Sequence, residues 1–238
     1  MVKGLTVSRL IGLCNDPAVE IPLELVAGGH GLDKIIEGPE VNRPGLGLTG
    51  FFECFAWSRI QIFGKGEVAY VNTMLEQGHE ENFRKFFEYD IACCVYTHGV
   101  SVPPRLRELA ETNRVAILST PLDSADFIRK IHPLLDEWFA PSQSLHGVLM
   151  EVFGVGALII GKTSIGKSEC ALELIERGHR LVADDLVEIR RLAGRILVGR
   201  GPERIPPHHM EIRGLGIINV SMLFGVGAIR DKKQVQMV

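Results

Sequence analysis

One stretch restricts the fold of this 238-residue chain more than any other: Gly161-Lys162-Thr163-Ser164-Ile165-Gly166-Lys167-Ser168. It is a full match to the G-x-x-x-x-G-K-[ST] loop, whose successive N–H groups cradle phosphate oxygens. The motif has meaning only between a strand and a helix, and its flanks supply both. Ala157-Leu158-Ile159-Ile160 reads as a buried strand. Beyond the loop, Cys170, Ala171, Leu172, Leu174 and Ile175 alternate with Glu169, Glu173, Glu176 and Arg177 at helical spacing. A helix N-terminus then adds its own N–H groups and dipole to the anion site.

The surroundings extend this unit. Residues 147–152 and 155–160 are two apolar runs joined by Phe153-Gly154, which predicts a β-hairpin whose second strand feeds the loop. The helix is expected to stop at Gly178. Arg180-Leu181-Val182-Ala183 then predicts a strand that delivers Asp184 and Asp185 at its tip. A carboxylate beside a phosphate loop either helps to hold Mg²⁺ or deprotonates a nucleophile. Adjacent strand residues face opposite ways, so one of the two is expected to point at the phosphates. The competing reading of this pair is a turn or helix cap, where Asp is also common. His146, Glu211 and His208-His209 carry no signal of their own.

Residues 1–139 read as a small α/β domain. Buried strands are expected over 91–96 and 115–118, a period-two strand over 59–63, and helices over 80–87, 104–113 and 124–138. Residues 67–74 read as strand passing into helix. Phe51, Phe52, Phe55 and Trp57 are expected in the core or on an inter-subunit face, since no basic residues interleave with them as a nucleic-acid surface requires. His30, His79, His98 and His132 are scattered without metal-ligand spacing. Residues 140–144, with Pro141 and three small or polar residues after it, read as a linker, and residues 145–238 as the second domain.

Composition excludes some classes. The net charge is −3, and residues 142–238 carry 13 Lys and Arg against 10 Asp and Glu, while residues 1–141 carry 13 against 19. The phosphate-loop half is thus mildly basic, which suits an anionic ligand. Neither nucleic acid nor a membrane is expected as a partner. Cys14, Cys54, Cys93, Cys94 and Cys170 are odd in number and form no C-x-x-C pair, so buried reduced thiols in a cytoplasmic protein are expected. No signal segment and no apolar run of spanning length is visible.

Longer strings identify a family. LHGVLMEVFGVGALIIGKTSIGKSECALELIERGHRLVADDLVEIR (145–190) and MEIRGLGIINVSMLFGVGAIR (210–230) strongly resemble HPr kinase/phosphorylase. VNRPGLGLTGFF (41–52) and IQIFGKGE (60–67) are similar to pieces of that family's N-terminal domain. The resemblance implies an α/β chain with a small N-terminal domain and a C-terminal P-loop kinase-like domain. It implies transfer of phosphate from ATP or pyrophosphate to a serine of the phosphocarrier protein HPr, and the reverse phosphorolysis, in the regulation of carbon metabolism. By motif, Gly161, Lys162, Thr163, Ser164, Ile165, Gly166, Lys167 and Ser168 would bind nucleotide, and Ser168 and Glu211 would hold Mg²⁺. Asp185 would be the acid/base, with His146 next to it in the loop before the first strand and Lys167 on the β- and γ-oxygens. Residues 210–219 would be a signature stretch needed in both directions, and the assembly a homohexamer.

Two departures accompany the likeness. The family has glycine where this chain has Ser164, which would strain the loop if φ there is positive. Relatives also continue past the position of Val238, so the chain reads as a fragment or as degenerate, and residues 233–238 read as a strand beginning with nothing after it to pair or cover it. The family's catalytic arginine would lie in the missing part. A nucleotide-sensing module without turnover is the alternative class. A third, a P-loop kinase for a small molecule, would require a lid segment that is not visible.

Overall fold

The computed structural model describes residues 4–192, 196–202 and 208–238. The chain divides into two compact units, Met1–Phe139 and Ala140–Val238.

The first unit opens with β1 (Leu5–Thr6) and α1 (Val7–Cys14), and the Thr6 side chain caps the helix by accepting from Arg9 N–H. There follow β2 (Glu24–Ala27), β3 (Ile35–Ile36), β4 (Val41–Asn42), α2 (Gly45–Leu48), β5 (Ile60–Phe63), α3 (Lys65–Glu76) and α4 (Glu81–Glu88). The unit closes with β6 (Cys93–Tyr96), α5 (Pro104–Thr112), β7 (Ala116–Ser119) and α6 (Ser124–Phe139). Its main sheet has the order β2-β7-β6-β5-β4, parallel except for β2. A parallel sheet is covered on both faces, so its strands read as unbroken apolar runs. Cys93, Val95, Ala116 and Leu118 face one core with α1 and α6, and Cys94, Tyr96 and Ile117 face the other with α4 and α5. Residues 67–74 are helical throughout, within α3; the mixed reading fails because Val68 and Val71 supply a buried helical stripe that short-range β propensity obscures. Cys14, Cys93 and Cys94 are buried, whereas Cys54 and Cys170 are exposed, contrary to expectation. Phe52 and Phe55 pack against Tyr89, while Phe51 and Trp57 are exposed in part.

The second unit contains β8 (Ser142–His146), β9 (Val148–Val152), β10 (Val155–Ile159), α7 (Lys167–Glu176), β11 (Arg180–Ala183), β12 (Leu186–Leu192) and β13 (Ile196–Arg200). It ends with β14 (His209–Ile212), β15 (Gly216–Asn219), α8 (Val220–Phe224) and β16 (Lys232–Gln234). Three sheets result: β10-β9-β11, β16-β13-β12-β8 and the hairpin β14-β15. Two sequence expectations fail here. The expected linker is in fact strand for most of its length, since β8 pairs with β12 from Ser142 opposite Arg190 to His146 opposite Leu186. Its polar side chains are exposed, and only the backbone ladder holds it. Residues 233–238 are not unpaired either: β16 pairs with β13, and Met237 bridges Ala157 of β10.

That terminal segment is fastened in two ways. At Gly156 an added Cβ would stand 1.9 Å from the carbonyl oxygen of Gln234, so only glycine admits the crossing backbone. Glu151 on β9, only 8% exposed, accepts ion pairs from Arg180 (3.4 Å), Arg230 (2.8 Å) and Lys233 (2.7 Å). No helix among the described residues is long and apolar enough to cross a membrane.

Candidate active site

The phosphate loop spans the gap between β10 and α7. Gly166 at φ 100° turns the chain into the helix, and Lys167 is its first residue. The Lys167 ammonium donates to the carbonyls of Gly161 (3.2 Å) and Lys162 (3.0 Å). Ser164 has φ 63°, a left-handed conformation that is costly for any residue with a Cβ.

Two further segments close on this loop around a cleft of about 660 Å³. The turn from β11 to β12 brings Asp184 and Asp185, and β14 with the turn after it brings Glu211 and Arg213. The Ser168 hydroxyl donates to Asp184 at 3.0 and 3.2 Å, and the Glu211 N–H donates to the same carboxylate at 3.3 Å. Asp185, at φ 63°, turns the other way and stands 3.7 Å from His146 Nδ1. The two carboxylates thus have separate partners. Strand pairing explains the second contact: His146 sits opposite Leu186, and Gly147 N–H donates to the Asp185 carbonyl (3.1 Å), so β8 fixes the histidine beside the acid. His146 therefore ends a strand rather than lying in a loop. Both side chains are open to solvent, 80% for His146 and 77% for Asp185, so a macromolecular acceptor can reach them.

The electrostatics separate the two acids further. Burial pushes the Asp184 carboxyl above its ordinary value, and the neighbouring Asp185 charge adds to this, against the bonds from Ser168 and from the amides of Glu211 and Asp185. A half-buried carboxylate that resists ionisation is a place where a cation would be welcome. Ser168, Asp184 and Glu211 offer only oxygen donors there, which suits Mg²⁺. Among the described residues there is no group of three His, Cys, Asp or Glu arranged for a metal.

Lys167, Ser168, Asp185 and Glu211, together with Thr163, Ser164, Ile165 and Gly166 of the loop, therefore line one cleft; Gly161 and Lys162 are not in its lining, and His146 stands against Asp185. Sequence reasoning left Asp184 without a role, and Arg213 without notice. The β-bulge between Leu181 and Ala183 spoils the simple alternation that would have aimed Asp184. For Arg213, two-residue spacing from Glu211, one position past the end of β14, was the available signal.

Residues 137–238 match the family model described as HPr Serine kinase C-terminal domain, and residues 11–135 the one described as HPr Serine kinase N terminus. The chain is 52% identical over 218 residues to an HPr kinase/phosphorylase of Treponema pallidum (strain Nichols), covering 92% of this chain and 68% of the relative. It is 48% identical over 237 residues to one of Leptospira biflexa, covering 100% of this chain and 72% of that protein. A solved structure, the Hpr(Ser) kinase/phosphatase from Coxiella burnetii, is 37% identical with a TM-score of 0.38, over 40% of this chain and 61% of that one. On the strength of matches along both of its units, the chain belongs to the HPr kinase/phosphorylase family.

Proposed function

We propose that this protein transfers a phosphoryl group from ATP or pyrophosphate to a serine of HPr, and runs the reverse phosphorolysis in the same cleft. The observation that carries the reading is the solvent-open Asp185, paired with His146 at 3.7 Å, in a cleft lined by Thr163 to Ser168 of the phosphate loop. In the forward direction Lys167 leaves its loop carbonyls for the β- and γ-oxygens. The acceptor serine oxygen attacks the γ-phosphorus, its proton passes to Asp185, and the bond to the leaving diphosphate breaks. In reverse, inorganic phosphate attacks phosphoserine, the serine oxygen departs with the proton from Asp185, and pyrophosphate forms. One carboxylate serves both directions by changing its proton state, and His146 holds it in place. Ser168 and Glu211, joined by Asp184, would hold Mg²⁺, which when bound offsets phosphate charge.

The direct test is to incubate the protein with γ-labelled ATP, Mg²⁺ and HPr, then add inorganic phosphate. Label should enter HPr as phosphoserine and leave as pyrophosphate. Asp185→Asn should abolish both reactions, at least a thousandfold by the scale of lost general bases, while nucleotide affinity stays within a few-fold. Near-normal turnover of that variant would remove Asp185 from the mechanism. A module that binds nucleotide without turnover draws support from Ser164 at φ 63°, and it predicts binding with no labelled HPr. In the enzyme reading the protein acts in the cytoplasm as a homohexamer, the latter measurable by sedimentation.

A further inference from the structure

Gly147 touches both halves of the machinery without lining the cleft. It is buried, it follows His146, the last residue of β8, and it precedes Val148, the first of β9. Its N–H donates to the Asp185 carbonyl at 3.1 Å, one step beyond the β8–β12 ladder. Its α-carbon lies against the exit of β10: an added Cβ would stand 2.7 Å from the Ile159 carbonyl oxygen and 3.3 Å from Ile160 Cγ2. Ile159 and Ile160 lead directly into Gly161. One small residue thus stands between the acid/base turn and the start of the phosphate loop.

The turn it holds is an unusual one. Leu186 N–H donates to the Asp184 carbonyl at 2.8 Å, a bond across a single residue, and Asp185 at its centre has φ 63°. A three-residue turn with positive φ at its centre is the rare, strained form. Such strain persists only where the surroundings hold it, and it gathers at functional sites. The bond that ties this apex across to the end of β8 comes from Gly147. The Asp185 side chain, 77% exposed, meets His146 at 3.7 Å.

We propose that Gly147 is a positioning residue that sets the distance between the phosphate loop and the Asp185 carboxylate. The proposal rests on the kinase reading above. Phosphoryl transfer needs the donor phosphorus, the serine oxygen and the base aligned to within about half an ångström. A C···O contact is ordinarily ~3.3 Å or longer, so a Cβ at this position would need about 0.6 Å of extra room. β10 resists giving it, being paired with β9 along its length, with Ile159 opposite Val148. β8 is the edge of its sheet, and most of its side chains are exposed. The His146 end therefore gives way and carries Asp185 with it, while the loop keeps its place. Chemistry is then lost without loss of nucleotide binding.

Two alterations act on the two contacts separately. Gly147→Ala adds the Cβ. Replacement of Gly147 by glycolate through semisynthesis deletes the N–H with no change of shape. For each, kcat is measured for phosphorylation of HPr from ATP and for phosphorolysis of phosphoserine-HPr, and calorimetry gives the Kd of a non-hydrolysable ATP analogue. Both alterations should lower kcat roughly ten- to a hundredfold in both directions, the scale of a misplacement below ~1 Å, with Kd unchanged. The residual turnover of Asp185→Asn supplies a readout that a merely structural role would not move. Adding Gly147→Ala to that variant should cost nothing further, because the carboxylate being positioned is gone. Losses that multiply in the double variant would overturn the proposal, as would kcat and affinity falling together with Tm. If Gly147→Ala does not fold, the glycolate protein decides, and unaltered kcat there overturns the proposal. If the unaltered protein does not phosphorylate HPr, the kinase reading falls and the positioning role with it. If it does and both alterations leave kcat unchanged, the positioning role alone falls.

Discussion

Replacing Ser164 with glycine tests whether the phosphate loop of this chain stores conformational energy. Ser164 is exposed and sits at φ 63°, a region in which the side chain crowds the following carbonyl and costs ~1–2 kcal/mol. Glycine removes that cost but gains freedom in the unfolded chain, which takes back ~0.5–1 kcal/mol. The net effect is a stabilisation of roughly 0.5–1 kcal/mol, which in a unit of this size raises Tm by about 2–8 °C. Differential scanning calorimetry of the ligand-free protein reads the shift directly, and titration with an ATP analogue reads the loop's competence. Affinity should hold or rise, because the glycine backbone adopts the same φ without strain. Ser164→Ala separates conformation from chemistry: it keeps the Cβ, and so should leave Tm near that of the unaltered protein. A glycine variant with lower Tm, or with weaker nucleotide binding, would refute the argument, since the hydroxyl and not the dihedral would then decide the loop's behaviour.

Other sites give further expectations. Burial raises the Asp184 carboxyl, so the folded state takes up a proton more readily than the unfolded chain does. Stability of the ligand-free protein should therefore rise as pH falls through the folded value of this group towards its ordinary one, and decline as pH climbs back. Asp184→Asn should flatten that slope in Tm-against-pH curves, raise Tm at neutral pH, and weaken Mg²⁺-dependent nucleotide binding about 10–100-fold. A variant with unchanged Mg²⁺ dependence would exclude Asp184 from the cation site. Removing Glu151 as Glu151→Ala should cost about 2 kcal/mol in urea unfolding at constant m, because Arg180, Arg230 and Lys233 lose their shared partner and two of the three are half-exposed. Bonding from Lys233, more than the other two cations, holds the Glu151 carboxyl below its ordinary value. Its contribution is thus present above the unfolded pKa and is lost as pH falls through the folded one. A loss below ~0.5 kcal/mol would show that the cluster is an exposed pair in effect.

Features written within a dozen residues were the readable ones. The phosphate loop, the hairpin before it, the helix after it and the buried strands at 93–96 and 116–119 follow from local pattern, because each makes its decisive contacts through its own periodicity. Long-range backbone pairing was hidden. Ser142, Gln143 and Ser144 look like linker because their side chains have nothing to do with why they are ordered; β12 supplies the ladder. The same applies at β16, whose partner lies more than 30 positions upstream. The family strings pointed to Asp185, Glu211 and His146, yet the geometry that gives Asp184 two donors and leaves Asp185 to His146 depends on a bulge that no hydropathy pattern marks.

The crossing at Gly156 has a consequence for how the second unit is built. The Gly156 carbonyl accepts from the backbone N–H groups of Gln236 and Met237, and its own N–H donates to Gln236 Oε1, some 80 positions downstream. The strand that feeds the phosphate loop is therefore only half-paired while the ribosome adds those positions, and its open edge faces the cell throughout. Closing so long a loop is slow compared with forming the β9–β10 hairpin. The nascent chain then displays a formed hairpin with an unprotected rim, the geometry that recruits unwanted strands from neighbours. Maturation of the nucleotide site becomes a late event, timed by translation, and a slow refolding phase after dilution from denaturant should report the arrival of Met237 beside Ala157.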